Sequence, residues 1–280
     1  MMQRPPEPSH WAGHPVERST AAGLAVRAAG RGPLVVLLHG GTGTWNHWSR
    51  NVDALAAEFR VVIPDLPGMG DSPAELSQDT ELDEYLGYLI AAFRDGMVPR
   101  GARFLIAGFS FGGMLAACLT KPLADQIRAA ALFAPGGFPP GGSQRPPLRS
   151  IPPGLSDAEI NAINRYNLEA MLIHDPTRID DATVAAQRWN NENSRFKARR
   201  IGYGDHLGNY LPYARCPILV FSGIHDPLPR PSVAARMAYI EKLNPLIRTE
   251  IIPDASHWLA FEKADVINPK LLAFYRGAPP

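Results

Sequence analysis

The sequence predicts an α/β fold: a mostly parallel sheet with helices on both faces and a helical cap inserted into it. Three observations carry this. Short apolar, β-branched runs alternate with helical periods before residue 135 and again after 215, the rhythm of parallel strands joined by crossover helices. Those runs end in polar or glycine-rich loops at 40–43, 65–72 and 108–112, and ligands bind beyond the carboxyl ends of such strands. Between 140 and 215 no strand-like run occurs, only helical spacing.

Bulk properties narrow the function classes. A chain of 280 residues buries a sizeable core, and 45% hydrophobic with 20% charged residues describes an ordinary globule. The net charge of +1 gives no electrostatic case for nucleic acid or an anionic membrane, so neither is expected as a partner. No apolar run reaches transmembrane length. Residues 1–15 hold four prolines and no apolar stretch of the kind a signal peptide needs. The two cysteines, Cys118 and Cys216, suit buried thiols, and a cytoplasmic location is expected. No Cys/His spacing suggests zinc, and neither metal nor cofactor is expected.

Taken in order, residues 1–12 are proline-rich and expected to be a flexible N-terminal segment. The first part of the α/β core spans 13–136. It opens with an edge hairpin over 14–29, then a continuous apolar strand at 33–38 running into His39-Gly40-Gly41-Thr42-Gly43-Thr44-Trp45. A helix is expected over 48–58, a strand over 60–63 and a longer helix over 81–94. Strands follow at 104–109 and 127–133. Proline and glycine crowd residues 135–154 and mark the entrance to the cap, assigned to 137–212. Its first helix starts at Ser156, with Glu159 completing a capping box and Ile160, Ile163, Leu168, Met171 and Leu172 forming an apolar stripe. A second helix covers 181–190, before the basic run 195–200. The core resumes over 213–280: strand 217–221, helix 232–243, strand 247–252 and helix 258–275.

Gly108-Phe109-Ser110-Phe111-Gly112 closes a buried strand and opens a helix whose apolar face begins at Met114, Leu115, Cys118 and Leu119. On such a turn a serine is strained, its hydroxyl stands out of the sheet, and small residues are needed where strand and helix cross. The helix N-terminus beside it favours a developing negative charge. A serine hydroxyl needs a base within hydrogen-bond reach and a carboxylate to orient that base. Asp226, in the loop Ser222-Gly223-Ile224-His225-Asp226-Pro227, and His257, in Asp254-Ala255-Ser256-His257-Trp258, both follow strands on the same rim.

The order Ser110, Asp226, His257 and the segments around them resemble the α/β-hydrolase-fold superfamily. The resemblance runs from about 33 to 275 outside the cap. It is carried by His39-Gly40-Gly41, Asp65-Leu66-Pro67-Gly68-Met69-Gly70-Asp71-Ser72, the serine turn, Gly223-x-x-Asp226 and the His257 segment. The closing run His257-Trp258-Leu259-Ala260-Phe261-Glu262-Lys263-Ala264 looks most like the meta-cleavage-product hydrolases, which cleave carbon–carbon bonds. Phe109 departs from them, since they usually carry a small polar residue before the nucleophile. The resemblance implies a serine hydrolase with Ser110 as nucleophile, His257 as base and Asp226 as its orienting acid. An oxyanion hole is then expected from the backbone N–H groups of Gly41 and Phe111. The implied substrate is a small, largely apolar ester or vinylogous ketone, with Thr42, Trp45, Phe109 and Trp258 near it. A lyase, a cofactor-free haloperoxidase-like enzyme or a ligand receptor of the same fold are the alternatives.

Several rivals fall on their own residues. Gly41-x-Gly43 lacks the third glycine of a dinucleotide fingerprint, Asn46 standing there, and lacks the Gly-Lys-Ser/Thr of a phosphate loop. Asp65 also follows a strand, but its Asp-Leu-Pro-Gly run suits a structural turn. Asp254 reads as a solvated loop carboxylate. His47, His174 and His206 show no ligand spacing and read as ordinary. The basic run 195–200 reads first as a solvated face and second as a greeting for a substrate carboxylate.

Overall fold

The computed structural model describes residues 6–139 and 146–279. Eight strands form the central sheet: β1 (Glu17–Ala21), β2 (Leu24–Ala29), β3 (Leu34–Leu38), β4 (Arg60–Pro64), β5 (Phe104–Phe109), β6 (Ile127–Phe133), β7 (Ile218–Gly223) and β8 (Ile247–Ile252). Their order is β8-β7-β6-β5-β3-β4-β2-β1. Strands β3 to β8 pair in parallel, while β2 runs antiparallel to β4 and β1 antiparallel to β2. The inner strands are apolar almost throughout because helices cover both faces, as Val35–Leu38, Phe104–Phe109 and Ala129–Phe133 show by being fully buried. Two separate apolar clusters, one on each face of the sheet, form the core.

The longer helices are α1 (Leu82–Ala92), α2 (Phe111–Leu119), α3 (Asp157–Asn167), α4 (Asp181–Glu192), α5 (Val233–Lys242) and α6 (Ala264–Arg276). Between β6 and β7 the described residues hold helices and turns and no strand. The capping box at the start of α3 is present, with Ser156 and Glu159 bonding reciprocally. Because the chain passes from β3 to β4 on one side and returns to β5 on the other, a crevice opens above the carboxyl ends of β3 and β5.

Three expectations need correction. The N-terminal segment is not loose from residue 7 onward: Glu7 pairs with buried Arg27 at 2.6 Å, and Trp11 is buried in a two-stranded hairpin. Residues 1–5, like 140–145 of the glycine-rich stretch, lie outside the described residues. The helix expected over 48–58 is a 3-10 turn, Trp45–Trp48, followed by a short helix, Val52–Ala56. Thr44 starts that turn early by accepting from the Asn46 N–H, and Asn51, whose side chain donates to the Ala260 carbonyl, begins the short helix as a separate unit. The last helix is also broken, into Leu259–Glu262 and α6, because Lys263 sits at φ −116°, ψ 41°.

Candidate active site

Strand β5 delivers Ser110 at φ 52°, ψ −111°, a backbone that neither strand nor helix residues adopt. Strand and helix cross so closely here that a Cβ at Gly108 would run into the Gly112 carbonyl. One at Gly112 would meet the carbonyls of Leu38 and His39. Packing therefore holds the strained turn in place.

Ser110 Oγ lies 2.9 Å from His257 Nε2, and His257 Nδ1 lies 2.8 Å from Asp226 Oδ2. A nitrogen facing a carboxylate carries the proton, so Nε2 is left as acceptor for the serine hydroxyl. Asp226 Oδ1 accepts the Leu228 N–H at 2.9 Å, which fixes the carboxylate. His257 and Asp226 are buried, while Ser110 opens onto a cavity of about 660 Å³. Sequence reasoning named all three, and the structure brings them together.

The two residues expected to supply the oxyanion donors are neighbours. A Cβ at Gly41 would lie 3.6 Å from the Phe111 Cβ. Among the described residues neither backbone N–H has a protein acceptor. Phe111 is the first residue of α2, whose N-terminal N–H groups have no partner within the helix. Thr42, next in the loop, lines the cavity and takes φ 54°.

Phe109 lines the cavity as expected, but Trp45 and Trp258 do not. Trp45 turns away to pack against Trp11 and Arg27. Trp258 lies behind the wall, donating its indole N–H to the His47 carbonyl at 3.0 Å and stacking on Phe261. Burial removes both rings from solvent, so adjacency in sequence to the loop or to His257 does not bring them to the pocket.

Asp65 is structural. It is buried and accepts from the Trp45 N–H (2.9 Å), the Asp71 N–H (3.0 Å) and Arg27 (3.0 Å). Asp254 is exposed. His39 accepts the Leu66 N–H at 2.8 Å through Nε2 and faces the Gly40 carbonyl at 2.8 Å through Nδ1, tying the loop after β3 to the loop after β4. Most of the basic run is committed: Arg195 bonds the Gly70 and Ser72 carbonyls, and Arg200 reaches Gln78 and Glu81. Only Lys197 and Arg199 of its charged members line the cavity.

Three residues near the site carried no recognisable signal in the sequence. His47 is fully buried against Phe109 and Trp258, lines the cavity, and accepts the Gly40 N–H at 3.2 Å. Burial holds its pKa well below the ordinary value, so the ring is neutral. Glu262 is buried and gathers three backbone N–H groups: His174 and Asp175 at 2.7 Å each and Ser256 at 2.8 Å. It thereby fixes the loop that presents His257. Arg236 reaches the cavity wall from α5.

Burial pushes the thiols of Cys118 and Cys216 up, to about 12 and about 11, which leaves neither as a nucleophile. Among the described residues no group of three or more His, Cys, Asp or Glu side chains is arranged to hold a metal ion. No helix among them is long and apolar enough to cross a membrane.

Residues 35–269 match the alpha/beta hydrolase family. The chain belongs to that family. It is 29% identical over 258 residues to the dihydrolipoyllysine-residue acetyltransferase component of the acetoin cleaving system of Pseudomonas putida, covering 88% of this chain and 64% of that protein. The chain thus spans less than two thirds of the length of the first curated relatives it matches. Among solved structures it is similar to the meta-cleavage product hydrolase of Pseudomonas fluorescens IP01, with TM-score 0.74 and 18% identity over 93% of this chain and 97% of that one. Naproxen esterase of Bacillus subtilis aligns with TM-score 0.72 and 19% identity over 95% of this chain and 93% of that one. At such identities the shared feature is the fold.

Proposed function

We propose that this alpha/beta hydrolase is a serine hydrolase acting on small carboxylic esters. The observation that carries the reading is the unbroken relay from Ser110 Oγ to His257 to Asp226, at 2.9 and 2.8 Å, beside a cavity of about 660 Å³. Ser110 attacks the ester carbon while His257 Nε2 takes its proton, and the Asp226 carboxylate stabilises the imidazolium that forms. The Gly41 and Phe111 N–H groups receive the oxyanion. Each such donor is worth about 2.7–4 kcal/mol of transition-state stabilisation. His257 returns its proton to the leaving oxygen, then activates a water that releases the acid from Ser110.

Carbon–carbon cleavage of a vinylogous ketone is the second reading, favoured by the closing run from His257 to Ala264. Phe109 favours the ester, because the carbon–carbon hydrolases that the chain resembles usually carry a small polar residue at that position.

A fluorophosphonate probe should label Ser110 in the unaltered protein and fail to label Ser110→Ala. Ser110→Ala and His257→Ala should each lower kcat on p-nitrophenyl butyrate by roughly 10⁴-fold or more. Near-normal turnover in either variant removes the triad from the mechanism. Turnover of a ring-fission dienoate alone, with no ester hydrolysed, reverses the order of the two readings.

A further inference from the structure

Four cationic side chains line the cavity: Lys197, Arg199, Arg230 and Arg236. Lys197 and Arg199 stand exposed in water, and Arg230 donates to the Pro229 carbonyl at 3.1 Å. Arg236 differs from them. It projects from α5 on the same side as Met237 and Ile240, which also line the cavity, and it is half-buried. Its guanidinium carbon lies 4.0 Å from the centre of the Phe138 ring, so an aromatic ring covers one face. Among the described residues its side chain makes no hydrogen bond and no ion pair.

This is an unusual state for a guanidinium. Half-burial strips part of the hydration from its five N–H donors, and no protein acceptor replaces it. Burial pulls the Arg236 pKa down to about 10; Asp226 opposes the shift and Arg230 adds to it by repulsion. Asp226 acts on Arg236 only through space, since no hydrogen bond or ion pair links the two and its oxygens face His257 and the Leu228 N–H. At neutral pH the group is still a cation. Stacking on Phe138 leaves the edges of the guanidinium available, and a carboxylate fits such an edge through two parallel N–H···O bonds.

We propose that Arg236 binds a carboxylate carried by the substrate, so that the preferred esters are monoanionic, with an apolar spacer between the scissile ester and a terminal carboxylate. The inference rests on the serine-hydrolase reading of the cavity. Met114, Phe111, Met237 and Ile240 supply the apolar wall that such a spacer requires. Anchoring then comes from α5 of the core.

The test compares p-nitrophenyl hexanoate with the mono-p-nitrophenyl ester of adipic acid, equal in chain length and different in terminal charge. The unaltered protein should favour the adipate ester in kcat/KM. Arg236→Gln should lower the adipate-to-hexanoate ratio at least tenfold, through KM, and Arg236→Lys should keep part of it. Competition against hexanoate-ester turnover in the unaltered protein needs no variant: hexanoate ion should inhibit at least tenfold more strongly than hexanamide. Equal inhibition by the two, or an unchanged ratio in Arg236→Gln, overturns the proposal. Fluorophosphonate labelling separates the failures: a labelled Ser110 with no charge preference defeats only the role of Arg236, while an unlabelled Ser110 defeats the serine-hydrolase reading beneath it.

Discussion

His47 and His39 bring two imidazoles to the base of the loop that follows β3, and a backbone N–H fixes one nitrogen of each as an acceptor. Protonating that nitrogen would set one N–H against another, and burial already disfavours the charge, so both pKa values lie below the ordinary one. The consequence for stability has a definite sign. The unfolded chain takes up protons near the ordinary histidine pKa of about 6.5, whereas the folded chain does not until lower pH. Stability is therefore lost as pH falls below about 6.5, by up to about 1.4 kcal/mol per pH unit for each such histidine. His47→Asn keeps an acceptor for the Gly40 N–H and removes one titrating group. Urea unfolding between pH 5 and 7 should show a shallower loss for His47→Asn than for the unaltered protein. Equal slopes would mean that His47 does not remain neutral on folding.

At the scale of elements, the site depends on how closely β5, α2 and the end of β3 approach one another. Gly112→Ala would place a methyl group into two backbone carbonyls, which cannot swing aside as a side chain could. It should therefore abolish soluble, cooperatively folded protein. Gly87 provides the contrast, since it lies within α1 and nothing comes within 4 Å of a Cβ built there. Gly87→Ala should stabilise the protein by up to about 1 kcal/mol, because alanine loses less backbone freedom in a helix. Thermal melts of the two variants check both, and a well-folded Gly112→Ala would show that the crossing is looser than described.

Across the whole molecule, the cap is fastened to the core by polar contacts that water does not reach. Asn46, in the turn after the Gly40–Gly43 loop, and Asn190, on α4, exchange amide hydrogen bonds at 3.0 and 2.9 Å, and Thr44 donates to Asn190 at 3.0 Å. All three are buried. Glu262 adds a second fastening, joining the His174–Asp175 backbone of the cap to Ser256. Removing one partner of a buried pair strands the other, at about 1–3 kcal/mol. Asn46→Ala and Asn190→Ala should each destabilise by that amount, and the double variant should cost at least 0.5 kcal/mol less than the sum, by the usual scale of contact couplings. Strict additivity in urea unfolding would mean that the two amides act independently.

The sheet strands, the serine turn and the loops carrying Asp226 and His257 were legible in the chain because their signals are local. An apolar run of a few residues, a pair of glycines at a crossing and a polar loop after a strand each state their own geometry. Trp11, Trp45 and Trp258 were not legible in this way: whether a large ring faces a cavity or the core depends on segments far along the chain. His47 read as an ordinary histidine without ligand spacing, and Arg236 lay within the helix expected over 232–243 with nothing to single it out. Only the folding of Gly40 against the first, and of Phe138 against the second, gave them their environments. The sequence by itself thus determined the architecture and pointed to the three side chains that meet at the rim of the sheet. The tertiary structure decided what surrounds them, because desolvation and contact are properties of packed neighbours rather than of sequence spacing.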